Sequence, residues 1–230
     1  MRTLDWVARG FTKVVGDVEV ATAHVTGTLA VGGKLVARQL ELSGTHQIGG
    51  DVRVSENFRA HGTLRLGGAV SARNVQLTGT TEVGGSLAVE QQLSWKGSLE
   101  VNQNVRADTV LFRGRLVIDG TLSGRSISGE VEALSSVGEI LADWVEIRRR
   151  KPRISIFLLP PPPWQELEVQ RIEAKEVHLD GVRARYVKAD RIFLGPDAHV
   201  EYVEGPILGR HKETHVGPES ESPPPPGLSR

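Results

Sequence analysis

The chain has 230 residues with 28 basic and 28 acidic side chains, so its formal charge is +0 and no global field draws it to nucleic acid. It has no cysteine, which excludes disulfides and thiolate metal sites and suits a reducing compartment. Aromatic residues make up only 5%, few for a thick globular core but ordinary for a thin one filled by Val, Leu, Ile and Ala.

Residues 1–15 read as an amphipathic cap or anchor. Leu4, Val7 and Phe11 fall on one helical face with Val14 or Val15; Trp6 joins them as a docking candidate, and Arg2, Arg9 and Lys13 add positive charge. Such a segment covers the bottom of the fold or lies on a membrane, and Gly10 with the β-branched residues favours the cap. Asp5 and Arg9 interrupt any secretion-signal core, and no stretch approaches the ~18 apolar residues of a membrane-spanning helix. The expected location is the cytoplasm, with peripheral attachment at the inner face of the cell membrane as the open alternative.

From residue 16 to 147 a phrase repeats. Gly27, Gly44, Gly62, Gly79, Gly97 and Gly114 each open a similar string, and the spacing between them is nearly constant. Within each unit the apolar residues come in i, i+2 pairs, as in Leu29/Val31, Leu35/Ala37 and Leu40/Leu42. Period two means extended strand with one face inward. Three short strands per unit, with double-glycine corners such as Gly32-Gly33 and Gly67-Gly68, describe one coil of a triangular parallel β-helix. Two vertical stacks are expected: Val31, Ile48, Leu66, Val83, Val101, Ile118, and Leu35, Val52, Val70, Leu87, Val105, Leu122.

The pattern breaks over 148–166. Arg148, Arg149, Arg150, Lys151 and Arg153 precede an apolar run containing Ile156, Phe157, Leu158 and Leu159, followed by Pro160 to Pro163 and Trp164. Proline cannot donate to a ladder, so this stretch reads as a loop ejected from the rod. Its cations and apolar side chains suit anionic headgroups, at about 1 kcal/mol per cation near a surface, or a client protein. The alternative is a linker packed on the rod's flank. Over 167–205 the pairs resume at a tighter pitch, from Ile172/Ala174 to Ile192/Leu194, giving coils of about fifteen residues that continue the same solenoid. Residues 206–230 read as a disordered tail.

Gly-Gly-Asp-Val at 49–52, Gly-Gly-Ser-Leu at 84–87, Val-Arg-Ala-Asp-Thr-Val at 105–110, Leu-Asp-Gly-Val at 179–182, Ala-Arg-Tyr-Val at 184–187 and Leu-Gly-Pro at 194–196 resemble the bactofilin, or polymer-forming cytoskeletal, family. The resemblance covers roughly 16–147 and 168–205. It implies a right-handed β-helix that polymerises end to end without nucleotide, scaffolds other proteins at the membrane and influences cell shape.

A β-helix exposes unpaired backbone groups at its first and last coils, and neither Gly16–Val31 nor Ile192–Val203 carries an evident strand-breaking cap. The expected partner is therefore a second copy of the chain. No residue is expected to do chemistry. No nucleophile elbow, phosphate loop or zinc motif occurs, no cofactor is expected, and the histidines share no column that would build a three-histidine metal site. His46 takes an inward leucine position and reads as a buried side chain rather than a ligand. Two other classes stand beside the filament reading: a monomeric adaptor that binds along its flank, and a trimeric hexapeptide-type transferase with polar residues converging between rods.

Overall fold

The structure is a computed structural model that describes residues 5–150 and 166–217. Its strands are β1 (Asp5–Val14), β2 (Val18–Val31), β3 (Leu35–Ile48), β4 (Val52–Leu66), β5 (Val70–Val83), β6 (Leu87–Val101), β7 (Val105–Arg106), β8 (Thr109–Val131) and β9 (Ser135–Arg149). After the undescribed stretch come β10 (Leu167–Leu179), β11 (Val182–Leu194), β12 (His199–Glu204), β13 (Ile207–Arg210) and β14 (His215–Val216). All are parallel and joined in one sheet that winds into a β-solenoid of about 12 turns, with no helix among the described residues. Strands about 4.8 Å apart make this a rod on the order of 55 Å long.

Alternation decides which side chains fill the rod. One inward column runs Val14, Val31, Ile48, Leu66, Val83, Val101, Ile118, Val137, Val169, Ala184, Val200 and Val216, each paired in register with the next. A second runs from Val18 through Leu35, Val52, Val70, Leu87, Val105 and Leu122 to Ile140, Ile172, Val187 and Val203. Both expected stacks are therefore present, and both extend across the interruption. β10 pairs with β9 on one side and β11 on the other, so the shorter coils continue one solenoid.

The corners are built from glycine and short acceptors. Gly10, Gly27, Gly44, Gly62, Gly79, Gly97 and Gly114 stack on one another with φ between 80° and 135°. A Cβ at any of the last six would lie 2.0–2.3 Å from the carbonyl oxygen of the glycine one coil below. At the double-glycine corners, Asp17 Oδ1 accepts the Lys34 N–H (2.8 Å) and Asp51 Oδ1 accepts the Ala69 N–H (3.0 Å). Asn104 Oδ1 does the same for Thr121 (2.9 Å), so each side chain satisfies an amide of the following coil.

Size is matched down a third inward column. Trp95 and Phe112 stack face to face inside the rod, with centroids 4.9 Å apart and planes 11° apart. Gly129 follows, and the Phe112 ring occupies the space that its Cβ would take, 2.3 Å away. Ile147, Leu179 and Leu194 complete the column.

Both ends of the solenoid differ from what the sequence alone predicts. Residues 5–14 are not helical: they form the strand of the first coil, so the solenoid begins before residue 16. Pairing along the whole of β1 fixes period two, which turns Trp6, Ala8 and Val14 toward the core and Val7 and Phe11 outward. The helical grouping of Val7 with Phe11 does not hold: both point outward from one strand, on either side of the Gly10 corner, and Leu4 lies outside the described residues. Gly10 is a seventh member of the glycine column. At the other end the ladder runs on through β13 and β14, so 206–216 is part of the solenoid and not of a tail. Arg148 and Arg149 belong to β9 rather than to a loop.

Candidate functional site

The two ends of the rod differ. At the N-terminal end, among the described residues, β1 is hydrogen-bonded to β2 alone and its other edge carries no strand. The side chains on its outer face are 66% exposed at Val7 and 73% at Phe11, and Val15 just beyond is 86% exposed. Gly10 keeps the positive φ of its column, yet nothing lies within 4 Å of where its Cβ would be. In the coils above, that position faces the backbone of the glycine one coil below. The first coil thus has the shape of an interior coil with one neighbour missing.

At the C-terminal end a turn is fastened onto the coil below, while β13 and β14 pair with no further strand among the described residues. Thr214 is buried, and its hydroxyl donates to the carbonyls of Gly195 (2.9 Å) and Leu194 (3.3 Å). Its amide donates to His211 O (3.1 Å), closing a turn over 211–214, and Arg210 donates to Thr214 O (3.3 Å). Glu204 accepts from the Tyr186 hydroxyl and pairs with Lys188. Burial, and then Glu204, push the Tyr186 pKa up to about 12. The guanidinium of Arg171 lies 5.3 Å from the Tyr186 ring centroid.

Outward columns carry opposite charges between coils, as in Arg65–Glu82 (3.0 Å), Arg73–Glu90 (3.5 Å) and Arg125–Asp108 (2.8 Å). Such exposed pairs are individually worth less than about 1 kcal/mol. Along one flank the small inward residues Ala37, Ala72, Ala107 and Gly124 draw the wall in to form a groove of about 1140 Å³ running lengthwise. Arg53 and Arg106 line it with no carboxylate partner among the described residues.

The basic cluster is engaged with the rod as far as it is described. Arg148 pairs with Glu146, Arg149 with Asp197, and Arg150 with Glu132 (2.6 Å). Glu132 also accepts from Arg113 Nε (2.7 Å). Burial works to raise its pKa, but these two arginines outweigh it and hold the carboxyl below its ordinary value. Lys151, Arg153, Ile156, Phe157, Leu158, Leu159 and Trp164 lie outside the described residues. Trp6 faces the core, so of the N-terminal docking candidates Val7 and Phe11 present their side chains to solvent.

His46 is inward, as its leucine position implies, and is 1% exposed. Neither ring nitrogen has a hydrogen-bond partner among the described residues. His199 and His215 share an outward column, with centroids 5.7 Å apart. Among the described residues no group of three or more His, Asp or Glu side chains is placed to hold a metal ion, and no helix is long and apolar enough to cross a membrane. No protein-family model, curated protein or solved structure matches the chain.

Proposed function

We propose that this chain is a structural building block that self-assembles end to end, without nucleotide, into filaments that act as a cytoskeletal scaffold. The observation that carries this reading is the bare first coil. An open strand edge, flanked by the exposed side chains of Val7, Phe11 and Val15, is a template for pairing with another chain. Among the described residues nothing lies within 4 Å of a Cβ placed at Gly10, on the side where a further coil would stack. The bactofilin resemblance supports the same reading and adds recruitment to the inner membrane surface and of client proteins. Stacked aliphatic columns make the rod stiff, and its surface charges, paired coil to coil, keep the flanks from associating laterally.

The test is negative-stain electron microscopy of the purified chain without nucleotide, at low and high salt. Uniform thin filaments are expected from the natural sequence. The double variant Val7→Glu, Phe11→Glu changes only outward side chains and should raise the concentration needed for filaments at least about tenfold, a difference of about 1.4 kcal/mol per contact. Discrete particles from the natural sequence under every condition would overturn the proposal. A monomer in that experiment would favour the adaptor reading, for which Arg53 and Arg106 in the lengthwise groove supply an acidic-partner surface.

A further inference from the structure

Apart from the aromatics Trp95 and Tyr186, the latter with its hydroxyl bonded to Glu204, four polar side chains are buried among the described residues: His46, Thr81, Ser135 and Thr214. Of these His46 alone can change its charge. Its ring is stacked in register between Leu29 of β2 and Leu64 of β4, and both of its nitrogens are orphaned. Charged and titratable groups are present on every strand packed against it. They are Glu19 and His24 on β2, Arg38 and Glu41 on β3, and Arg53, Glu56, Arg59, His61 and Arg65 on β4. All of them are exposed or half-buried on the outside of the wall. No carboxylate among them shares the interior with the ring. An imidazolium at this position would have no counter-charge in the interior and, near it, only the Ser43 backbone to favour it, which a low-dielectric interior penalises heavily.

The position along the rod matters as much as the burial. β3 belongs to the third coil from the N-terminal end, and only β1 and β2 lie beyond it. In a solenoid each coil is stabilised by its neighbours, so a local opening that reaches a free end breaks one inter-coil interface where an internal opening breaks two. Unstacking residues 5–48 from β4 brings His46 into water and leaves the remaining columns intact.

We propose that His46 is a proton-operated release for the N-terminal end: on acidification it takes up a proton, and the first three coils open as a unit while β4 and everything beyond it stay stacked. Desolvation places the histidine's pKa in the folded rod below its ordinary value near 6.5, with the Ser43 backbone acting weakly the other way. The folded form therefore holds the neutral ring. The stability of these coils is complete above about pH 6.5 and declines as the pH falls below it, where the open form binds the extra proton. That the released end is also the assembling end rests on the function proposed above; the opening itself does not.

Hydrogen exchange with mass spectrometry on the full chain at pH 7.5 and 5.5, corrected for intrinsic exchange, tests this. Peptides from 5–48 should lose several-fold, and at most about tenfold, in protection at the lower pH, the limit that one histidine near pKa 6.5 in the open form can supply, while peptides from 70–147 keep theirs. His46→Leu should make the protection of 5–48 independent of pH. His46→Gln, polar but not titrating, should give lower protection that is equally independent of pH, and it separates charge from burial if the leucine variant misfolds. Retention of full protection at pH 5.5 in the natural sequence would overturn the proposal. So would a loss that persists in both variants, which would assign the effect to the exposed His24 or His61. Absence of filaments at every pH, with the exchange signature intact, would sink the assembly reading and leave the release standing.

Discussion

Gly79→Ala should destabilise the rod by more than about 4 kcal/mol, although it adds a single methyl group. Two costs coincide at this position. The backbone has φ 107°, a region that residues with a Cβ rarely adopt, which costs roughly 1–3 kcal/mol. The new Cβ would also stand 2.2 Å from the Gly62 carbonyl oxygen. That oxygen is backbone, held in register by Gly44 on one side and Gly79 on the other, so it has no direction in which to yield. Gly10→Ala is the control: it has the same class of φ, but nothing within 4 Å, and should cost only about 1–2 kcal/mol. Urea unfolding followed by circular dichroism measures both. Equal losses at the two positions would show that φ alone explains the column and that close stacking does not.

The second large effect lies in the aromatic column. Phe112→Ala should cost about 3–5 kcal/mol, since it empties the space between Trp95 and Gly129. Gly129→Val should cost about 3 kcal/mol for the opposite reason, because its first carbon would meet the Phe112 ring at 2.3 Å. Combined, the two changes return volume to the column one coil away from where it was removed. The double variant should be at least about 2 kcal/mol more stable than the sum of the single losses predicts. Simple additivity in the same urea series would mean that Gly129 is small for a reason unconnected with Phe112.

The interior columns are legible in the sequence because their signals are local. An i, i+2 apolar pair marks an inward face, and the even step from one phrase glycine to the next fixes which pairs stack. The first coil escapes that pattern because Gly10-Phe11-Thr12 lacks the Thr-Leu or Thr-His of later phrases. Yet Gly10 stands as far before Gly27 as Gly27 does before Gly44. The helical grouping of Leu4, Val7 and Phe11 competes because a short segment supports either period until a neighbouring strand selects one. The last coil escapes because only Ile207 and Val216 mark its columns and the register shifts between Ile192 and Phe193. That shift also hides the pairing of His199 with His215. The inward position of His46 can be read from the spacing, but its isolation cannot. Whether a buried nitrogen finds an acceptor depends on side chains contributed by the coils above and below it.

One consequence follows from the way the columns cross residues 151–165. Val137 meets Val169, and Ile147 meets Leu179, as though the chain between Arg150 and Glu166 were an ordinary corner. The apolar columns keep their register across this longer connection as they do between the ordinary coils. Corners of this solenoid are therefore natural ports for passenger sequence. Lengthening such a connection costs only loop-closure entropy, about 0.6 kcal/mol per doubling. A folded cargo domain spliced between Arg150 and Glu166 should ride on the rod's surface at a fixed height along its axis, and an assembly of such rods would display the cargo at a regular pitch.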